Sequence, residues 1–314
     1  MRLLELVTRY VDFKQAMGVS FSCQAGILRS FCRAMGDISI SDVDRVAIEA
    51  FLKVRGQVTA YWTVKFKALS GFFRFLITRG YLDVSPLPAT NPKVPERRAP
   101  HIYTLEELKK LIAATGALCT PPNSLRSATY RALLLTLYGT GMRISEVLSL
   151  AIVDVDLSDD VITVHHGKFH KSRLVPVGGL LAEQLRAYAG MREKVPLPKG
   201  KDSAFFATVN GCAISYQLAK VTFSHLRSIA GICPDNASHR LPRIHDLRHT
   251  FAVRRLETWY REGADVQRLL PKLSTYLGHQ DVSATQGYLT MIPELLQEAS
   301  QRFERYGIRE VPHE

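Results

Sequence analysis

The stretch DVSPLPATNPKVPERRAPHIYTLEE, residues 83–107, divides the chain and decides how both sides of it are interpreted. Five of the fifteen prolines fall within it before His101: Pro86, Pro88, Pro92, Pro95 and Pro100. Proline lacks an amide donor and biases the preceding residue away from helix, so this run predicts an extended connector. Thr104 and Glu107 then have capping-box spacing, which predicts a helix from about Leu105. We expect a domain over residues 1–85, a linker over 86–103 and a second domain over 104–314.

The residues before the linker predict a small helical bundle. Apolar side chains recur at three- and four-residue spacing, and a glycine stands near the end of each periodic segment. The segments cover residues 2–17, 22–35, 42–55 and 58–79.

Positive charge is concentrated in this first half. The 314 residues contain 41 Lys and Arg against 29 Asp and Glu, a net charge of +12, and residues 1–95 hold 13 of the former and 7 of the latter. No acidic residue lies between Ala50 and Leu82, where aromatic residues predicted to face the core alternate with basic ones. The basic residues, which we predict to form a phosphate-facing surface, are Lys53, Arg55, Lys65, Lys67, Arg74 and Arg79.

Composition excludes several classes of protein. No apolar run approaches the roughly 18–20 residues that cross a bilayer, and the first residues include Glu5 and Asp12, so we expect a soluble cytoplasmic protein without a membrane partner. The cysteines show neither a C-x-x-C pair nor matched ligand spacing, which predicts buried free thiols rather than disulfides or a zinc site. They are Cys23, Cys32, Cys119, Cys212 and Cys233.

After the linker the periodicity is mixed and predicts an α+β domain. Val161–His166 and Arg173–Val177 have the character of two short strands joined by a turn over residues 167–172, and helical spacing covers the remainder. The helical segments are residues 104–115, 124–138, 144–151, 179–190, 214–230, 245–261, 265–277, 282–287 and 293–305.

Four motifs in this half carry groups that could act on a phosphate. The first motif, residues 137–148 (LYGTGMRISEVL), places Arg143 at a helix start. The second is the predicted hairpin turn, which bears Lys168 and, as a second lysine, Lys171. The third, HDLRHTF, begins at His245, and the fourth, LGHQDVSATQGY, ends at Tyr288. Each motif alone has a structural explanation, such as an ion pair between Arg143 and Glu146. Together they supply cations, acids, bases and a phenol. This set is suited to metal-free phosphoryl transfer from DNA to a protein nucleophile.

On these motifs, in this order and spacing, the sequence resembles the tyrosine recombinase (phage integrase) family, and within it the compact two-domain Xer-type members. The resemblance covers nearly the whole chain. It implies a mainly α fold, with an N-terminal helical core-binding (SAM-like) bundle that binds DNA and a C-terminal mixed α+β catalytic domain with a small β-hairpin or sheet. It also implies site-specific cleavage and rejoining of double-stranded DNA, without ATP, metal or other cofactor.

The same resemblance implies a role for each motif residue. Tyr288 would attack the scissile phosphate to give a 3′-phosphotyrosyl link. Arg143 and Arg248 would bind the non-bridging oxygens, and Lys168 would protonate the leaving 5′ oxygen. His245 would act as acid and base toward the tyrosine, His279 would hydrogen-bond the phosphate, and Glu146 would support the site from behind Arg143.

Two alternatives remain open at this stage. His245 and His249 have the i, i+4 spacing of metal ligands and His279 could be a third, but the zinc protease pattern requires Glu where this chain has Asp246. The chain could also be a catalytically inactive DNA-binding regulator on the same scaffold.

The family resemblance further implies a homo-oligomer, a tetramer on paired DNA sites. The amphipathic segment Pro293 to Tyr306 is predicted either to dock on a neighbouring subunit or to pack on its own domain.

Overall fold

The fold was analysed in a computed structural model of the chain. It describes residues 1–19, 21–36, 38–53, 60–89, 100–118, 125–165, 172–234, 241–279 and 281–289. The chain divides into two compact units, Met1–Arg97 and Arg98–Glu314.

The first unit is a helical bundle, as the periodicity predicts. Its helices are α1 (Leu3–Ala16), α2 (Ser22–Met35), α3 (Arg45–Leu52) and α4 (Ala60–Thr78), with a 3₁₀ turn at Ile40–Asp42. The α3 helix begins where the Asp44 side chain accepts a hydrogen bond from the amide of Ala47. The four helices bury one apolar cluster that includes Phe31, Phe72 and Phe73.

The second unit contains the helices α5 to α12. The predicted capping box is present: the Thr104 hydroxyl accepts from the Glu107 amide at 3.1 Å, and the Glu107 carboxylate accepts from the Thr104 amide at 2.8 Å. The helices are α5 (Leu105–Ala114), α6 (Arg126–Thr140), α7 (Ile144–Leu148), α8 (Gly179–Glu193), α9 (Tyr216–Ile229), α10 (Asp246–Arg261), α11 (Val266–Leu277) and α12 (Ser283–Gln286).

A three-stranded antiparallel sheet completes this unit. Its order is β1 (Val155–Asp156), β2 (Val161–Val164) and β3 (Arg173–Pro176), and Ile162 pairs with Val175 in the β2–β3 ladder. The β2–β3 hairpin confirms the two predicted strands. The β1 strand was not predicted because two residues are too few to show an alternating pattern.

Burial of the cysteines departs from the prediction. The described cysteines are free, but only Cys32 is buried, whereas Cys23, Cys212 and Cys233 are exposed. Composition alone does not reveal that these three stand on the solvent side of a helix or in a connecting loop. Among the helices formed by the described residues, none combines the length and apolar character needed to cross a bilayer.

Candidate active site

Two arginines are fixed by backbone carbonyls at the centre of the second unit. Arg248, in the first turn of α10, is 3% exposed and donates from its two Nη atoms to the carbonyls of Gly141 and Leu277, both at 2.8 Å. Arg143, just before α7, donates from Nη2 to the Gly278 carbonyl at 2.7 Å. A guanidinium has five N–H donors, so each arginine keeps donors for another acceptor.

The carbonyls that fix these arginines belong to two glycine turns. Gly141 and Gly278 follow α6 and α11 with φ of +61° and +68°, a conformation that glycine adopts without strain. A Cβ on Gly141 would overlap the Phe251 ring, and one on Gly278 would lie 2.7 Å from Nη1 of Arg173. Space and backbone conformation therefore both require glycine at these two turns.

Glu146 links the arginines to the sheet. Its carboxylate accepts from the side chain of Arg143 at 2.8 Å and from both Nη atoms of Arg173 at 3.0 and 2.8 Å. Burial alone would raise the pKa of Glu146, but the hydrogen bonds from Arg173 and from the Arg143 amide lower it to about 2. The ionised carboxylate therefore holds Arg143 in one orientation near neutral pH.

Tyr288 lies beside this cluster, two residues after the end of α12. It is 5% exposed, and its hydroxyl is 3.1 Å from Nδ1 of His249. Burial raises the pKa of Tyr288, while the positive charges of Arg248 and Arg143 act in the opposite direction. The tyrosine is thus a neutral phenol that lies near two cations and whose hydroxyl contacts an imidazole.

The predicted histidines are in the same region. The ring of His279 stacks against Tyr288 with centroids 6.3 Å apart, and its Nδ1 is 2.8 Å from the Thr285 hydroxyl. His245 packs edge-on against His249 with centroids 5.1 Å apart. Burial, followed by the charge of Arg248, lowers the pKa of both predicted histidines, that of His279 to about 4.

The structure thus brings together most of the predicted site residues: Arg143, Glu146, His245, Arg248, His279 and Tyr288. Lys168, Lys171 and the segment Pro293 to Tyr306 lie outside the described residues. The residues to which the sequence motifs assign a role in the reaction do not include two members of the cluster, His249 and Arg173. The i, i+4 spacing from His245 is a signal for His249, but the sequence offered none for Arg173, whose partner Glu146 is 27 residues away.

The basic residues of the first unit differ in exposure. Lys53, Lys67, Arg74 and Arg79 are exposed, whereas Arg55 lies outside the described residues.

Lys65 is 8% exposed, donates to the Phe51 carbonyl at 2.6 Å and stands 4.1 Å from the centroid of the Phe51 ring. Its predicted place on a phosphate-facing surface is therefore wrong, because its ammonium is already bound inside the bundle. As predicted, Trp62, Phe72 and Phe73 are buried, but Tyr61 of the same stretch, which was also predicted to face the core, is exposed.

A metal centre was the alternative for the histidine motif. Within the part of the chain that the structure describes, no group of three or more His, Cys, Asp or Glu side chains is arranged to hold a metal ion. His249 instead faces the Tyr288 hydroxyl.

Comparison with known proteins places this geometry in a family. Residues 102–293, which include both arginines, the histidines and Tyr288, match the phage integrase family. The chain belongs to this family. It is 35% identical over 95% of its length to the Sinorhizobium fredii protein y4rE, named as a candidate integrase/recombinase, of which 94% is covered.

Named tyrosine recombinases are also similar to this integrase family member. Identity to XerD of Corynebacterium glutamicum is 30%, covering 93% of this chain and 87% of XerD. Identity to XerC of Bacillus subtilis is 33%, covering 74% and 70%.

Solved structures agree on the fold. A lambda integrase tetramer bound to a Holliday junction matches with a TM-score of 0.68 at 17% identity, covering 92% of this chain and 77% of that one. The Tn1549 transposon integrase in complex with transposon right end DNA matches with a TM-score of 0.67 at 17% identity, covering 97% and 99%.

Proposed function

We propose that this phage integrase family member is a site-specific DNA recombinase that cleaves and rejoins strands through a 3′-phosphotyrosyl intermediate at Tyr288. The observation that carries the proposal is the placement of a buried phenol among two fixed arginines and two uncharged histidines. The named XerC and XerD relatives and the DNA-bound structures of the same fold support DNA as the substrate.

In cleavage, the oxygen of Tyr288 attacks the scissile phosphorus while the bond to the 5′ oxygen breaks. Negative charge grows on the non-bridging oxygens, which the remaining N–H donors of Arg143 and Arg248 bind. Donors fixed in advance by protein carbonyls need little rearrangement as this charge develops, so they stabilise the transition state more than free arginines would.

Further groups complete the reaction. Lys168 protonates the leaving 5′ oxygen, and His279 donates to a non-bridging oxygen. Since Thr285 occupies Nδ1 of His279, its Nε2 is the nitrogen for the phosphate. His245 serves as an acid and base in the same cluster.

The phosphotyrosyl ester conserves the energy of the cleaved bond, so a second 5′-hydroxyl reverses the step without ATP. Side-chain cations take the place of a metal ion in this scheme.

In this proposal the first unit binds double-stranded DNA. Lys67 and Arg74 lie seven residues apart on the exposed side of α4, and neither forms an ion pair with a carboxylate of the described residues. Arg79 adds to the same charge, whereas the ammonium of Lys53 lies 3.9 Å from the Glu49 carboxylate. As a homo-oligomer, a tetramer on paired sites, the protein exchanges strands between two duplexes, an arrangement that the lambda integrase tetramer on a Holliday junction supports.

A covalent adduct on nicked duplexes taken from the DNA that flanks the gene tests the proposal. A nick beside the scissile phosphate lets a short fragment diffuse away, so a phosphotyrosyl adduct accumulates. We expect the wild type to form an adduct that resists denaturation and the Tyr288→Phe variant to bind equally well without one. Binding without an adduct in both proteins would identify a DNA-binding regulator instead.

A further inference from the structure

Tyr288 must lose its hydroxyl proton when it attacks phosphorus, and among the described residues His249 is the base in contact with that hydroxyl. Nδ1 of His249 is 3.1 Å from the phenol oxygen, and the two rings meet at 61° with centroids 5.5 Å apart. His245, which the sequence favoured for this role, contacts the ring of His249 at 5.1 Å between centroids. The residue next to Arg248 in the chain is therefore closer to the proton than the first histidine of the motif.

We propose that His249 is a catalytic residue of this protein and takes the proton of Tyr288 during strand cleavage. The step rests on the proposed function. The tyrosine oxygen forms a bond to phosphorus, its proton moves to Nδ1 of His249, and the bond from phosphorus to the 5′ oxygen breaks. That oxygen gains a proton from the separate acid. In rejoining, His249 returns its proton to the tyrosine oxygen, so no oxidant, metal or co-reactant is consumed.

The surroundings of His249 keep its imidazole uncharged. Burial lowers the pKa of His249 most, and the neighbouring His245 lowers it further, to about 4. The imidazole is therefore neutral at pH 7, and the lone pair of one ring nitrogen can accept a proton. Acceptance at Nδ1 requires the tautomer that carries hydrogen on Nε2. Among the described residues, the titratable and charged groups around the ring are His245, Asp246, Arg243 and Arg248 from its own segment and Tyr288 and His279 from the segments packed against it.

Bound DNA would strengthen His249 as a base. An imidazole of such low basicity removes little of a phenol's proton by itself, because the reference pKa of tyrosine is about 10. A phosphodiester held by the two arginines brings a negative charge next to the ring, which favours the imidazolium form. The base thus becomes effective when the substrate is in place, and this limits tyrosine ionisation in the free protein.

The test isolates deprotonation of the tyrosine from protonation of the leaving group. The substrate is a nicked duplex from the flanking DNA in which sulfur replaces the 5′ bridging oxygen at the mapped cleavage position. A thiolate leaves without an acid because a thiol has a reference pKa of about 8.5. His249→Asn is the test variant, since its amide oxygen can accept the phenol hydrogen bond but cannot take the proton. His225→Asn, at an exposed histidine of α9, is the control for the substitution itself, and His245→Asn, one helical turn from His249, is the competing candidate.

We expect single-turnover adduct formation by His249→Asn to be at least about a hundredfold slower than wild type at neutral pH, the usual size of a general-base effect. The wild-type rate should vary little between about pH 6 and 8, whereas the rate of the variant should rise with hydroxide concentration. His225→Asn should keep the wild-type rate and pH profile on this substrate, and His245→Asn should not acquire the hydroxide-dependent rate expected of His249→Asn. Equal DNA binding by the four proteins shows that the site has folded.

Other outcomes overturn the inference in different ways. A His249→Asn variant with wild-type rate and pH profile would show that the contact is only structural. A faster variant would show that His249 restrains Tyr288 rather than activating it. Loss of the pH-independent rate in His245→Asn alone would return the role to His245. Absence of any adduct with wild type is the failure of the proposed function itself, and it would remove both claims.

Discussion

At the scale of single residues, Gly278 meets two separate requirements. Its φ of +68° places its carbonyl where Arg143 donates to it, and its missing Cβ leaves space for the guanidinium of Arg173. His279 is the next residue, so a displaced turn would also move its ring. One glycine thereby affects three side chains of the candidate site.

Alanine at position 278 should therefore affect activity as well as stability. We expect Gly278→Ala to lower the free energy of unfolding by more than the roughly 1–2 kcal/mol that a left-handed alanine costs, and to slow adduct formation more than about tenfold, because Arg173 must move. Urea unfolding and single-turnover adduct formation measure the two effects.

Gly231→Ala is the matched control for this substitution. Gly231 has a similar φ of +63°, but a Cβ there would meet nothing within 4 Å. Its substitution should incur the conformational cost alone and leave the adduct rate unchanged. Equal losses of stability and equal adduct rates in the two variants would contradict crowding by Arg173.

At the scale of elements, the ion pair between Glu146 and Arg173 joins β3 to α7, and a hydrogen bond from Arg173 joins β3 to the end of α11. Arg173, the first residue of β3, contacts Glu146 through both Nη atoms and donates from Nε to the Tyr276 carbonyl at 3.0 Å. Arg173 follows Lys168 by five residues in the sequence. The same buried group therefore fixes the orientation of Arg143 and the start of a strand from the hairpin.

The depressed pKa of Glu146 gives this link a characteristic pH dependence. A carboxyl whose pKa is lower in the folded than in the unfolded protein stabilises the fold above the unfolded value, and this contribution is lost as pH falls toward the folded value, here about 2. In Glu146→Gln the contribution is absent at every pH. The excess stability of wild type over the variant should shrink by about 2 kcal/mol between pH 5 and pH 3.

Urea unfolding of both proteins across this pH range measures the difference. Glu106→Gln serves as a control, because Glu106 pairs with Lys109 at 2.8 Å on an exposed surface where water screens the pair. Its difference from wild type should stay nearly constant. A constant difference for Glu146→Gln as well would mean that its carboxylate is not held in the folded state by the arginines.

Short-range sequence patterns predicted most helices and strands of the fold. The features that were not predicted depend on contacts between residues distant in the sequence. The Thr104 and Glu107 cap depends on two side chains one turn apart, so its pattern is complete in the sequence. Arg173 meets Glu146 only after the sheet and α7 have packed together. Lys65 was expected on the surface because charged side chains are usually exposed to solvent, yet its ammonium donates to a backbone carbonyl within the bundle.

In the candidate site, too, contacts between residues distant in sequence determine what the motifs alone do not predict. The order and spacing of the motifs are enough to indicate a set of phosphate-binding and nucleophilic groups. They did not indicate which histidine faces the Tyr288 hydroxyl, because His245 and His249 lie one helical turn apart and their ring directions depend on packing. Hydrogen bonds across elements distinguish the two residues.

At the scale of the whole molecule, the excess of positive charge separates into cations with different roles. Arg143, Arg173 and Arg248 are partly or fully buried and fixed by protein acceptors, whereas Lys67 and Arg74 face solvent on α4. Exposed cations that lack a carboxylate partner can release counterions from DNA when they bind phosphates. The salt dependence of binding therefore reports on the α4 surface rather than on the net charge.

The double variant Lys67→Gln with Arg74→Gln tests this separation. In titrations of duplex DNA from the region flanking the gene, the slope of log K against log salt concentration should become less steep by about two, since each lost phosphate contact contributes nearly one. The matched control is Arg9→Gln with Arg45→Gln, which removes the same charge from exposed residues already paired with Glu5 and Glu49. Its slope should stay close to that of wild type, because neither guanidinium is available to replace a counterion. Equal changes in both double variants would attribute binding to net charge, and the proposed α4 interface would then be wrong.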